Sequence, residues 1–190
     1  MDAERPLPDL PSGELVEPRL LAEVSTLGHP PRVIAVCRRS DLPVLDPSIP
    51  PPVGLALWHV ADPGNIGTLL RAADGLAQAF VALSDGCADP TGPKALRAST
   101  GAVFRVRTGR FTEAPGRRIA LVAHGGIPLQ ELDLPDGTAF VLGAEREGLP
   151  DAVVAECDES ATIPLEPGAE SLNVAMAGTI ALYEWSRRRR

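Results

Sequence analysis

The chain has 190 residues, 44% of them hydrophobic, enough to bury one sizeable core but too few for several domains. No apolar run approaches the ~20 residues a bilayer-crossing helix needs, and a formal charge of -7 argues against general adhesion to nucleic acid. Cys37, Cys87, Cys157, His29, His59 and His124 are scattered without metal-ligand or redox spacing, so free thiols in a cytoplasmic protein and no metal are expected.

The opening MDAERPLPDLPSGE is acidic and Pro-rich rather than basic-then-apolar, so no secretory signal is expected and residues 1–12 read as disordered. Leu15, Leu20, Leu21 and Val24 recur at helical spacing and predict a helix over 13–27, with Pro18 in its first turn or breaking it. RVIAVC, residues 32–37, reads as a buried strand. DLPVLDPSIPPP reads as a Pro-rich linker unable to sit inside a sheet. The expected division is therefore a short N-terminal piece, 1–50, and one domain over 51–190.

From Val53 onward, apolar strand segments alternate with helical ones. GLALWHV is strand-like, ADPGN turns, and 66–76 runs as a helix. AFVAL is a strand, PTGPKALRAS a loop into a short helix, and GAVFRVR and RRIALVAH are two more strands. Such alternation predicts an α/β fold, with a mostly parallel sheet and helices on both faces. Two further apolar runs, 139–142 and 161–165, each break into Gly, Pro and polar residues. Strand ends of this kind leave backbone groups open to a ligand, and in open α/β sheets they are where ligands usually sit.

The final helix is predicted over 171–187, with Ser171 as its cap and Leu172, Ala175, Met176, Thr179, Ile180 and Tyr183 as an apolar stripe. It carries more apolar residues, including Met176, Tyr183 and Trp185, than one packed face requires. Such a surplus marks a subunit interface and predicts a two-fold dimer.

Charge is unevenly distributed. From Lys94 to Arg118 seven basic residues (Lys94, Arg97, Arg105, Arg107, Arg110, Arg117 and Arg118) face one acid, Glu113, and the last four residues are all Arg. From Ile119 to Glu184 twelve acids face the single Arg146. A basic band on an acidic body suits directed contact with phosphate. Solubilising a surface is the other use such arginines have.

The segments NIGTLLRAA, GAEREGLP and IPLEPGAESLNVAMA, with PKALRASTGAVFRV between the first two, resemble the motifs of the SpoU (TrmH) family. These are RNA ribose 2'-O-methyltransferases of the SPOUT superfamily, and the likeness covers Val53 to Arg187. It implies S-adenosylmethionine as cofactor, held at Gly143, Ile163 and Leu172, with Leu142, Ala144, Leu165 and Asn173 completing the pocket. It implies Arg71 as the catalytic arginine with Asn65 supporting it or the ribose, Glu145 pairing with an active-site polar group, and Ser171 and Asn173 reaching RNA or Arg71. Lys94, Arg97, Arg105, Arg107 and Arg110 become the candidate RNA contacts. A tRNA or rRNA substrate, a homodimer through the C-terminal helix and a C-terminal trefoil knot, a feature otherwise nearly absent from proteins, belong to the same expectation.

The residues allow that chemistry. Asn65 stands at the start of its helix, where Asn caps well, and Arg71 lies six residues on, along the helix face. Glu145 follows Gly143 by two residues and points to the same side of an extended segment. An arginine is a poor base, with a pKa above ~12. Arg71 is therefore suited to orienting the ribose hydroxyl and the adjacent phosphate, with the phosphate helping to take the proton. Two departures from the family stand out: many relatives carry a complete RNA-binding domain where this chain has 1–50, a remnant or small lid, and Gly75-Leu76-Ala77 stands where relatives often have Phe-Gly. The other readings are a cofactor-binding RNA module without turnover, and a dehydrogenase-like nucleotide binder, which the lack of GxGxxG after any strand disfavours.

Overall fold

The computed structural model describes Met1, residues 13–25, His29 and residues 31–190. It divides into two compact units, Met1–Asp41 and Leu42–Arg190. In the first, helix α1 runs from Pro18 to Val24, shorter than the 13–27 predicted, and Pro18 sits in its first turn, where the missing N–H costs nothing. Leu27 and the predicted disorder at 2–12 fall outside the described residues. The strand expected at 32–37 does not form: Val36 is almost fully exposed and Ile34 is exposed. Among the described residues the apolar run has no strand to pair with.

The second unit holds a seven-stranded sheet. Its strands are β1 (Val53–Leu57), β2 (Phe80–Leu83), β3 (Thr108–Arg110), β4 (Arg117–Leu121), β5 (Ile127–Pro128), β6 (Thr138–Leu142) and β7 (Glu159–Thr162). All pairings are parallel, in the order β3-β2-β1-β6-β4-β7-β5. The α/β expectation holds, and burial explains the composition. Every residue of β1 and β6 is buried, as strands covered on both faces must be. Val53, Leu55, Leu57, Val81, Phe140 and Leu142 enter the larger core. Ala56, Phe80, Ala82, Ala139 and Val141 enter the smaller one on the other face.

Helices α2 (Pro63–Ala72), α3 (Pro93–Ser99) and α5 (Val174–Arg187) cover the larger core, and α4 (Asp151–Ala155) contributes Val153 to the smaller. Asp62 caps α2, accepting the Gly64 N–H, and Pro63 takes the first helical position, where Pro is favoured. Beyond α2 the chain continues as one π-helical turn, Ala73–Ala77. A Cβ on Gly67 would lie 2.5 Å from the Ala95 carbonyl oxygen, so only glycine lets α2 and α3 pack this closely.

Three expectations change here. GAVFRVR is not a strand: Ala102–Phe104 is a 3-10 turn and only Thr108–Arg110 joins the sheet. The Pro-rich 42–52 stretch packs on the larger unit, where the Leu45 N–H donates to the Thr108 carbonyl and the Leu45 side chain is buried. The terminal arginines hold the fold together. Arg187 and Arg188 pair with the nearly buried Glu184, Arg188 also donates to the carbonyls of Leu129, Gln130 and Leu132, and Arg189 reaches the Leu134 carbonyl and Asp136 while lying 3.7 Å over the Trp185 ring. Trp185 is itself buried and donates its indole N–H to the Pro135 carbonyl. It is therefore not among the surplus apolar residues.

Candidate functional site

Because the strands run one way, β1, β6, β4 and β7 all end on one edge of the sheet. The strand order also reverses there. β1, β2 and β3 step one way, β4 starts on the other side, and β6 fills the gap, which is where an open α/β sheet leaves a crevice.

A cavity of about 280 Å³ occupies this edge. Its walls follow the strand ends: Leu121–Ala123 after β4, Leu142–Gly148 after β6, Ile163 and Leu165 after β7, and Ser171, Leu172, Val174 and Ala177 at the entry to α5. The loop after β6 is tight, not the extended segment predicted. Ala144 and Gly148 exchange both backbone hydrogen bonds, at 3.1 and 3.0 Å, and leave Glu145, Arg146 and Glu147 at the tip. Glycine is required at Gly143, because a Cβ there would stand 2.1 Å from the carbonyl carbon of Gly148.

The tip delivers Glu145 to the start of α2. Its carboxylate accepts the backbone N–H groups of Ala61 (3.2 Å) and Asp62 (3.1 Å) and the Asn65 side-chain amide (2.9 Å). Asn65 Oδ1 in turn accepts from Asn173 Nδ2 at 3.1 Å. Asn173 Oδ1 then accepts the N–H groups of Ala175 and Met176 and caps α5. The caps are thus Asp62 and Asn173, where the sequence suggested Asn65 and Ser171. Partial burial pushes the Glu145 pKa up, but the bonds from Asn65, Asp62 and Ala61 outweigh it and hold the carboxyl below its ordinary value. Asp62 is lowered first by the hydrogen bond from Lys94, then by the Gly64 amide.

Arg71 lies six residues beyond Asn65, about 9 Å along the helix axis at 1.5 Å per residue. It is exposed, and among the described residues it has no hydrogen-bond or ionic partner. Ser171 is exposed at the cavity wall.

The six residues Leu142, Gly143, Ala144, Ile163, Leu165 and Leu172 all line the cavity, whereas Asn173 does not and instead belongs to the hydrogen-bonded chain. The basic band is not one surface of equivalent charges. Lys94 donates to both Asp62 oxygens, Arg105 grips Asp74, Arg107 donates to the Ile49 carbonyl and Arg117 pairs with Glu159. Arg97 and Arg110 are exposed. Sequence reasoning missed the Ala61 and Asp62 amides, the Leu121–Ala123 wall and the Lys94–Asp62 pair. Of these, only Asp62 carried a readable signal, an Asp directly before a Pro. Among the described residues no cluster of His, Cys, Asp or Glu could hold a metal ion, and no helix is long and apolar enough to cross a membrane.

The fold defines a parallel α/β protein with an open cavity at the carboxyl edge of its sheet. The sequence pattern of the SpoU rRNA Methylase family matches residues 52–183, and the chain belongs to that family. It is 32% identical to the 23S rRNA (uridine(2479)-2'-O)-methyltransferase of Streptomyces viridochromogenes over 90% of this chain and 66% of that one. To the 23S rRNA (guanosine(2553)-2'-O)-methyltransferase RlmP of Bacillus subtilis it is 35% identical, over 68% of this chain and 56% of that one. The crystal structure of the SpoU methyltransferase AviRb from Streptomyces viridochromogenes, in complex with AdoMet, superposes with a TM-score of 0.70 at 30% identity, covering 77% of this chain and 66% of that one. The chain thus spans about two thirds or less of the length of these relatives.

Proposed function

We propose that the protein transfers a methyl group from S-adenosylmethionine to a ribose 2'-hydroxyl of RNA, rRNA or tRNA. The observation that carries this reading is the chain of hydrogen bonds from Glu145 through Asn65 to Asn173. It ties the loop that walls the cavity to the two helix starts beside it, and one of those helices carries the exposed Arg71. The cavity fits the cofactor. Leu142, Ile163, Leu165 and Leu172 offer apolar walls for a base, and the Ala144–Gly148 turn offers backbone polar groups. Bound there, S-adenosylmethionine supplies an electrophilic methyl group.

The chain's own residues do the rest. Arg71, exposed and without a competing carboxylate among the described residues, holds the ribose hydroxyl and its neighbouring phosphate, with the phosphate helping to take the proton. Glu145 fixes the amides that begin α2 and so fixes the direction from which Arg71 approaches. Ser171 stands at the cavity wall, positioned to contact the RNA. Arg97 and Arg110, exposed and without a carboxylate partner among the described residues, take RNA phosphates, with Lys94, Arg105 and Arg107 adding charge around them.

The reading extends to a cytoplasmic homodimer formed through α5, whose Met176, Ile180 and Tyr183 remain exposed. It also includes a C-terminal trefoil knot, supported by the insertion of β6 between β1 and β4. Residues 51–190 are read as the methyltransferase domain, with the N-terminal segment before it serving substrate binding. The deciding experiment incubates the protein with labelled S-adenosylmethionine and total RNA, then maps 2'-O-methyl sites. Transfer to a single ribose is expected. Cofactor binding without transfer to any RNA would leave a binding module, and tight NAD binding without S-adenosylmethionine binding would overturn the reading altogether.

A further inference from the structure

The turn that follows α3 is built against its own composition. Thr100 and Gly101 both take left-handed backbone angles, φ 50° and 82°. For the β-branched Thr100 this is a rare conformation, of the kind that persists where the surroundings impose it and that clusters at functional sites. The chain then makes the Ala102–Phe104 turn. Its small residues Ala102 and Val103, with Val106 just beyond, are buried, while its one aromatic side chain, Phe104, is left 50% exposed. Simple hydrophobic packing would bury the phenyl ring and leave alanine outside.

The turn is also fixed in place. Arg105 holds Asp74 through both Nε and Nη2, and Asp74 lies three residues beyond Arg71 on the continuation of α2. The turn therefore stands beside the helix that carries Arg71. In sequence it belongs to a basic stretch: from Pro93 to Thr112 there are five basic residues and no acid, of which Lys94 and Arg105 are held by Asp62 and Asp74 while Arg97 and Arg110 are exposed. An exposed ring on a basic stretch of chain is the arrangement on which an unpaired base stacks while its phosphates are neutralised.

We propose that Phe104 is a base-stacking residue, receiving an unpaired RNA base next to the nucleotide whose ribose meets Arg71. The inference rests on the RNA-methyltransferase reading and adds to it that the target lies in a single-stranded loop or bulge, since a base held in a duplex has no free face to offer.

The test compares wild type with Phe104→Ala and Phe104→Tyr. Affinity is measured for a short fluorescent single-stranded polyuridine and for a blunt RNA duplex at one fixed salt concentration. Light scattering and S-adenosylmethionine calorimetry are run on the same samples. Wild type should prefer the single strand. Phe104→Ala should weaken single-strand binding roughly 10-fold, the scale of one lost base–aromatic stack. Its duplex affinity, salt slope and cofactor binding should stay unchanged, and Phe104→Tyr should restore the single-strand affinity. Equal single-strand affinity in wild type and Phe104→Ala, or no single-strand preference in wild type, overturns the proposal. A dimer that becomes monomeric in Phe104→Ala also overturns it, by assigning the ring to a contact between copies. Loss of cofactor binding in wild type would instead strike the methyltransferase reading itself.

Discussion

Glu145 and Asn65 lie 80 residues apart in the chain and meet side chain to side chain at 2.9 Å. The contact joins the loop after β6, which walls the cavity, to the first turn of the helix that carries Arg71. Whatever orders the loop therefore also orders the approach of the arginine.

The first consequence concerns pH. The folded-state pKa of Glu145 lies below its ordinary value of 4.5, so the carboxylate stabilises the native state above that pH. The contribution fades as pH falls through the lower, folded value. Glu145→Gln should leave a stability gap to wild type that is constant near neutrality and shrinks on acidification below 4.5. Urea denaturation of both proteins across that range measures it, and a gap that widens toward acid would show that the Glu145 contacts do not favour the charged form.

Arg71→Ala should cut single-turnover methylation by at least ~100-fold, the scale of a lost positioned catalytic group. Cofactor affinity should hardly change, because Arg71 does not line the cavity. Normal single-turnover rates with saturating RNA would make Arg71 a bystander.

Gly143→Ala places a methyl group against the Gly148 backbone. The loop must open to admit it, at about 1–3 kcal/mol, the range for forced overpacking. A lower urea midpoint together with weaker S-adenosylmethionine binding by calorimetry is expected. Binding at wild-type strength would show that the loop's closed form is not needed by the ligand.

Met176→Asp combined with Ile180→Asp puts two charges on the exposed stripe of α5. If that stripe is the dimer interface, light scattering will show a monomer with an unchanged circular dichroism spectrum. A dimer that survives both charges would place the interface elsewhere.

Arg188→Ala removes donors to three backbone carbonyls and one partner of Glu184. A loss of about 1–3 kcal/mol is expected, the scale of polar groups left unsatisfied, and RNA affinity should not move. Chemical denaturation and a binding titration on the same protein separate the two.

Local pattern made much of this legible. Continuous apolar runs announced β1, β2 and β6, because strands buried on both faces need no alternation. The Gly- and Pro-rich strand ends marked where a ligand could sit, but the six cavity residues were named by the resemblance to the SpoU family rather than by local pattern. Other features depended on partners that no local window contains. RVIAVC has strand-like composition but, among the described residues, no neighbouring strand to pair with. GAVFRVR looked extended because its buried residues, Ala102, Val103 and Val106, are β-compatible, yet the left-handed Thr100 and Gly101 redirect the chain. Ser171 and Asn173 are equally good caps by type, and only the bond to Asn65 settles which one is used. The terminal arginines looked available to phosphate until Glu184, Asp136 and the carbonyls of 129–134 claimed them.

The place of β6 also governs the order in which the chain can fold. Leu57 of β1 pairs with Leu142 of β6, and Arg117 of β4 pairs with Thr138 on the opposite side of the same strand. A ribosome makes β1 and β2 well before the strand that fills the place beside β1. Until then the apolar edge of β1 stays open, and closing it draws together segments far apart in sequence, which is slow and leaves an unpaired edge exposed. Nascent chains arrested before Thr138 should therefore be the species that chaperones hold and proteases cut.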